Sequence, residues 1–583
     1  MYPGTIVNWH DQSEITSSTS GNTIINNAPL FFQVFSCDKG PEDLRVVSGD
    51  DFDSLYGTMS FARHGQSAIQ AKNIISAGGR LLAKRIVASD STLANVILIA
   101  NVSDGEDGGA KVKWTSKSIT GIKTFDQLLG EAKKLLKDDQ GQYPLFVYAD
   151  NGRGVSSKAV RLIPDYTVSK TNGNTFYTLA VYEGATSIEN ETISFDPTVL
   201  YSNTSYHLNR WTCTQVNGEV LEDVYELYVT KLAEKLGVEE AALRNYDLVY
   251  GYTNRGKAIE KFTLDKEGVD LDSEVGIKLA EGSNGEFGTA PVNTQPWVDA
   301  LKETFNGSFS DRIWDVDTYR VAAIVDADYP DEVKDLICDL VDFRQDCMYF
   351  RDYGTGLKTF LEIKDKYDSY SAHRSCFVAD YCTSYNITDP NTAKTIEVTM
   401  LYDFAYDLVN YFANNPYAPA AGIINGFILN NAIRGTVNFT PINTPTVNQK
   451  DAMEEIRVNY AIFQENQCVV QTCYTSQDSY TQLSYVGNVL GIQNVLRAVR
   501  IQCPKTRYTL SKGSDLSIYA TAVNTVLSQF SNNFSVLTFS YTQDKLKASE
   551  KIFYASIQFA FHNWAQTEIF DIFAINNSDV SNS

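Results

Sequence analysis

The chain has 583 residues, and at about 150 residues per domain that is too long for a single compact domain. Hydrophobic residues make up 43% and charged residues 21%, which excludes the collagen-like, disordered and disulfide-scaffold classes. Forty-nine Lys and Arg stand against 71 Asp and Glu, a net charge of −22. No stretch gathers basic residues into the stripe that phosphate neutralisation needs, so nucleic acid is not an expected partner.

In chain order, residues 5–9 (TIVNW) form a short β-prone run, followed by a Ser/Thr/Asn/Gly tract to residue 27, which predicts a strand on a flexible tether. From Pro29 the pattern changes. LFFQVF over 30–35 is a buried-strand run, and Gly40-Pro41 a turn. A helical pattern starts at 52–56, and another over 66–77 ends at Gly78-Gly79 as a left-handed stop. Residues 81–87 and 95–100 read as strands. Residues 102–296 read as β-rich, with Asn-Gly turns at Asn172-Gly173, Asn217-Gly218 and Asn284-Gly285 and one clear helix over 221–236.

Alternation of strand and helix then returns. Residues 319–325 predict a strand, Pro330 opens a helix carrying Val333, Leu336, Ile337, Leu340 and Val341 on one face, and 348–350 predict the next strand. This βαβ pattern implies an α/β domain made of two separated segments. Three further helices are expected over 400–412, 480–499 and 515–530. Strands are expected over 534–541 and at Phe553, Ala555, Ile557, Phe559 and Phe561, and a β-prone run covers 568–575.

The fold class expected is therefore a mixed α/β multidomain protein. Residues 1–27 form an N-terminal arm, 28–104 and 311–390 the two segments of the α/β domain, 105–310 a β-rich insertion, and 391–583 a C-terminal α+β domain. The longest apolar stretch, about 418–429, is interrupted by Gly422, Asn425 and Gly426 and is too short to span a bilayer. With no basic and apolar leader at residues 1–12, a soluble protein without membrane insertion is expected.

Chemistry-bearing motifs are few. Gly251 to Lys257 matches the GxxxxGK part of a phosphate-binding loop, with Asp326 at the end of an apolar strand as its magnesium-side companion. However, Ala258 replaces the hydroxyl residue, and the alternation after Lys257 reads as a strand following a hairpin turn at 253–256. Asp326 reads better as the end of a buried parallel strand that helps cap the following helix. Asp315 and Asp317 should lie at the opposite end of that strand from Asp326 and Asp328. His373, Cys376 and Cys382 match no zinc spacing. The nine cysteines, an odd number without a CxxC pair, read as reduced, buried thiols. No catalytic, cofactor or metal residues are assigned.

The two β-prone terminal runs stand out, because unpaired strands invite association and extended arms can add to a neighbour's sheet. At this point the sequence resembles the tail sheath proteins of contractile-tailed bacteriophages and related contractile machines. The residues carrying the resemblance are 31–35, Gly40-Pro41, Val46-Val47, 52–57, Ala77-Gly78-Gly79 before the basic strand ending at Lys84-Arg85, 279–285, 501–508 around Pro504, and 565–570. A Gly-x-Arg-Thr segment usual in the family is replaced by 468–476.

The resemblance implies stacked hexameric rings around a tail tube that contract without nucleotide or other cofactor. Its partners would be further copies of itself, the tube protein, and baseplate and terminator proteins; it would be located in the virion after assembly in the host cytoplasm. It further implies that Thr5, Ile6, Val7 and Trp9, and Ile569, Phe570, Ile572 and Phe573, are inter-subunit donor strands. Asp515, Ile518, Asn524 and Gln529 would mark a tube-facing helix. The alternatives are a P-loop-like NTPase using Lys257 and Asp326, or another baseplate or capsid component.

Overall fold

In Leu30–Ser36 all seven residues are buried, as expected of a strand covered on both faces of a parallel sheet. It pairs in parallel with Arg80–Ile86 on one side and with Val321–Val325 on the other. The computed structural model describes residues 29–196, 199–201, 204–205, 207–210, 215–288, 291–306, 313–414, 416–501, 513–542 and 554–562.

The sheet continues from Val321–Val325 in parallel to Met348–Asp352 and Val378–Tyr381, and ends on the other side with Arg45–Val47, antiparallel to Arg80–Ile86. Successive side chains of a strand point to opposite faces. Phe31 meets Phe412 edge-on at 6.0 Å, while its neighbour Phe32 meets Phe305 at 5.6 Å. Helices Leu401–Asn414 and Gln295–Phe305 therefore cover opposite sides of the sheet. Helix Phe61–Ser76 packs beside the first and Asp331–Arg344 beside the second. Helix Phe61–Ser76 stops where Gly78, at φ 83°, and Gly79 donate back to the carbonyls of Ile75 and Ile74.

A second core lies between residues 93 and 279. One sheet there runs Val216–Val220, Gln142–Asp150, Asn95–Asp104, Ala110–Lys117 and Phe262–Asp265. The other runs Ile277–Lys278, Lys158–Pro164, Tyr177–Glu183 and Thr186–Ile193. Trp114, Phe146 and Phe195 stack in series, with centroids 5.6 and 4.1 Å apart. A third core joins helix Val486–Arg500 to helix Gly513–Ser528 and to the hairpin of Phe534–Thr542 and Tyr554–Phe561. The chain is thus a mixed α/β multidomain protein.

Several expectations shift. Asn95–Asp104, placed by sequence in the first α/β segment, is a central strand of the second sheet; a buried apolar strand carries no mark of which sheet receives it. Helix Gln295–Phe305, expected inside the insertion, packs on the central sheet, and so does Leu401–Asn414, expected in a separate C-terminal domain. Asn217-Gly218 is not a turn but lies within strand Val216–Val220. A Cβ on Gly218 would come 3.0 Å from the Tyr148 ring, so this glycine serves close packing. Residues 257–264 do not form one strand: only Phe262–Asp265 does. Short helices at Phe125–Lys133 and Tyr166–Asn172 were not expected.

The second core is seated on the first by polar contacts. Arg153 chelates Glu42, with its Nε 3.0 Å from Oε1 and its Nη2 2.6 Å from Oε2. Arg63 does the same to Asp38, and Asn284 donates to that carboxylate at 3.0 Å. Arg85, buried, donates to the carbonyls of Cys37 and Gly40. Gly152 permits this approach, since a Cβ there would lie 1.9 Å from the Gly40 carbonyl oxygen. Gly152→Ala is therefore expected to destabilise the protein by about 1–3 kcal/mol; urea unfolding followed by fluorescence should show the midpoint falling.

Candidate assembly surface

The C-terminal hairpin stands as a two-stranded sheet. Leu537 pairs with Phe559 and Phe539 with Ile557, and this face packs on helix Gly513–Ser528, where Tyr519 meets Phe539 at 6.1 Å. The opposite face carries Thr538, Ser540, Ser556 and Gln558, all exposed, with Ser540 and Ser556 hydroxyls 2.7 Å apart. At the hairpin's base Phe534 and Phe561 pack at 4.5 Å. An isolated two-stranded sheet is marginal. Among the described residues neither outer edge of this one is paired with a third strand; an unpaired strand edge in general presents backbone N–H and C=O groups to an incoming chain.

Helix Gly513–Ser528 buries Tyr519, Val523, Val526 and Leu527 and turns Ile518, Thr521, Asn524, Thr525 and Ser528 outward. These exposed residues carry no charge in a chain of net −22, and Ile518 is 65% exposed among them. Gln529, just past the helix, is also exposed. The helix start expected at Asp515 falls inside the element; nothing is described of that side chain. The strand residues Thr5, Ile6, Val7, Trp9, Ile569, Phe570, Ile572 and Phe573 lie outside the described residues.

The candidate nucleotide residues are not brought together. Gly251 to Lys257 closes a hairpin-like turn, in which Thr253 N–H donates to the Lys257 carbonyl and Gly256 N–H to Thr253. Residues 254–257 precede an irregular segment and not a helix, so no helix N-terminus faces a phosphate. Lys257 is exposed in the second core's region, whereas Asp326 is fully buried at the end of Val321–Val325 in the first.

Asp326 instead belongs to a buried ionic cluster. Lys334, from helix Asp331–Arg344, lies 3.4 Å from Asp326 and 2.5 Å from Asp352. Asp326 also accepts from the Tyr349 hydroxyl and from the N–H groups of Ala327 and Tyr329. Its carboxylate thus organises the turn before the helix; it does not cap the helix itself. Asp352 accepts from Asp328 N–H and from Thr399, which is bonded in turn to Gln66. Sequence reading grouped Asp326 and Asp328 but missed Asp352 and Lys334, which reach the site from other elements.

Burial, then repulsion from Asp352, pushes Asp326 up to about 6 and Asp328 up to about 7. Cys382 is buried in a minor core with Tyr353, Ile363 and Met453, while His373 lies 3.6 Å from Asp335. Among the described residues no group of three or more His, Cys, Asp or Glu could hold a metal ion, and no helix is long and apolar enough to cross a membrane.

No family model and no curated protein matches the chain by sequence. Among solved structures, the sheath tail protein of Listeria innocua aligns at 8% identity and a TM-score of 0.49, covering 94% of this chain and 96% of that one. The sheath tail protein of Desulfitobacterium hafniense aligns at 10% identity and a TM-score of 0.43, covering 92% and 93%. The chain is similar to sheath tail proteins. The helical sheath of the anti-feeding prophage in its contracted state aligns at 13% identity and a TM-score of 0.36, covering 49% and 75%.

Two outcomes test the buried cluster. Lys334→Met leaves Asp326 and Asp352 facing each other without a cation and should cost about 3–5 kcal/mol in urea unfolding. Asp328 is protonated in the folded state below about 7, whereas the unfolded carboxyl ionises in the ordinary carboxylate range, at about 4. Its contribution to stability is therefore fully present below about pH 4 and lost as pH rises to about 7. Asp328→Asn should flatten the decline in melting temperature across that window relative to the parent.

Proposed function

We propose that this chain is the structural subunit of a contractile tail sheath, polymerising as stacked hexameric rings around a tail tube whose passage through an envelope the contraction drives. The observation that carries the reading is the two-edged C-terminal hairpin in a chain that also has β-prone runs at 5–9 and 568–575. An added strand supplies main-chain hydrogen bonds to such an edge and pockets for alternate side chains. Head-to-tail addition of that kind closes into rings or continues as a helix.

In this reading Thr5, Ile6, Val7 and Trp9 and Ile569, Phe570, Ile572 and Phe573 are the donor residues. The uncharged face at Ile518 and Asn524, with Asp515 and Gln529 at its ends, meets the tube. The other partners are baseplate and terminator proteins, and the assembly belongs to a phage virion built in the host cytoplasm. Energy comes from an extended lattice relaxing to a contracted one, with the subunit body rotating as a unit on its arms. The NTPase reading is left without support by the separation of Lys257 from Asp326.

Negative-stain electron microscopy of the full chain beside one starting at Ser13 tests this directly. Tubes or rings are expected from the full chain and none from the shortened one; monodisperse particles from both would refute the arm assignment. Because like-charged subunits repel over a Debye length of about 10 Å at 0.1 M salt, polymer yield should rise between low and moderate ionic strength, as measured by sedimentation.

A further inference from the structure

Helix Leu401–Asn414 places two acidic residues one turn apart, Asp403 and Asp407, and both are buried. Their environments differ. Asp403 accepts from the Tyr385 hydroxyl at 2.8 Å, from Asn431 N–H at 3.1 Å and from the Asn431 side-chain amide at 2.5 Å. Asp407 is 6% exposed, and its Oδ2 has no hydrogen-bond partner. A buried carboxyl oxygen without a hydrogen-bond partner carries a desolvation cost and calls for an explanation.

Asp407 lines a cavity of about 240 Å³ together with Asn410, Asn414, Asn425 and Ile424. The wall facing the helix is a tight turn over 422–426, bent by Gly422 at φ 84° and Gly426 at φ 80° and closed by Gly426 N–H donating to the Ile423 carbonyl. The turn carries no ionisable side chain. It pushes Ile424 wholly into solvent at 99% exposure, with Ile423 at 37% beside it. An unmatched acceptor thus lies behind an apolar lip, and asparagine carbonyls are available to satisfy further N–H groups.

We propose that this cavity receives a Lys or Arg side chain from a second copy of the chain, its charged end pairing with Asp407 and its aliphatic stem lying against Ile424. The choice of occupant rests on the self-assembly reading above and on charge complementarity: Asp407 is the acidic side chain lining the cavity, and a cation is the group that pairs with its ionised form. The apolar lip fits a protein surface better than a free ion. Burial, then repulsion from Asp403, pushes the unoccupied Asp407 up to about 9, so it is protonated at neutral pH. Docking converts the carboxylic acid and the incoming cation into a carboxylate–cation pair and releases one proton to solvent. Association through the cavity therefore strengthens as pH rises from 7 towards 9.

Two measurements on the full chain test the site and its occupant separately. First, the alkylguanidinium agmatine should bind the unassembled subunit, with calorimetry in buffers of different ionisation heat showing about one proton released at pH 7.5. Asp407→Asn should abolish both the binding and the release. Absence of binding to the parent protein overturns the proposal.

Second, Asp407→Asn and Ile424→Ser should each fold with an unchanged circular dichroism spectrum. Asp407→Asn should raise the critical concentration for assembly roughly tenfold or more, as expected for loss of one partner of a buried charge pair, and remove the dependence of assembly on pH between 7 and 9. If agmatine binds but the parent chain never self-associates, the site stands, while its assignment to a second copy fails together with the sheath reading. If polymers form and Asp407→Asn assembles like the parent at every pH, the proposal is overturned and the sheath reading survives.

Discussion

The structure depends on one long-range pairing, the parallel alignment of Leu30, Phe31 and Phe32 with residues 321–324. More than 290 positions separate these partners, so the pairing forms only after a large loop is closed. The entropic cost of loop closure grows slowly with length, and an inserted unit that folds on its own core shortens the effective loop. The second core, between residues 93 and 279, is such a unit. With the pairing made, Phe31 and Phe32 each find an aromatic partner on opposite sides of the sheet, and four helices acquire a surface to pack against.

Charge is distributed by the same logic. Four of the cations are held inside the molecule: Lys334 between Asp326 and Asp352, Arg351 on Asp380, Arg344 on Asp346, and Lys158 on Asp150, each pair almost fully buried. Replacing such pairs by apolar groups need not lose stability, but removing one partner does. Their distribution also marks junctions. Asp346 accepts from Arg344 and lies 3.3 Å from Arg500, and its carbonyl accepts from Arg497, which ties the C-terminal helix Val486–Arg500 to the loop between Asp331–Arg344 and the next strand. The hairpin is thereby mounted on the central body through that helix.

The elements with a strong periodic signal were legible. Leu30–Ser36 and Val321–Val325 follow from burial on two faces, Asp331–Arg344 from a 3.6-residue stripe and Tyr554–Phe561 from a two-residue alternation. Sheet membership was not legible, since Asn95–Asp104 reads like the strand before it while belonging to another core. Gly218 shows why a dipeptide rule fails: Asn-Gly favours a turn locally, but the Tyr148 ring makes glycine necessary inside a strand. The P-loop-like spacing was a coincidence of composition, exposed as such once no helix followed Lys257.

By itself the sequence determined class, periodicity and charge, because these depend on residue type and near neighbours: an α/β chain interrupted by a β-rich segment, acidic and poor in catalytic motifs. Tertiary structure alone decided which carboxylates share a site and which stand alone. Asp326 and Asp352 are 26 positions apart and yet bind one lysine. Asp403 and Asp407 are one helical turn apart, and yet one carboxylate is fully bonded while the other faces an open cavity. Desolvation and hydrogen bonding act through space, and the spacing of residues along the chain does not encode the partners that folding brings to them.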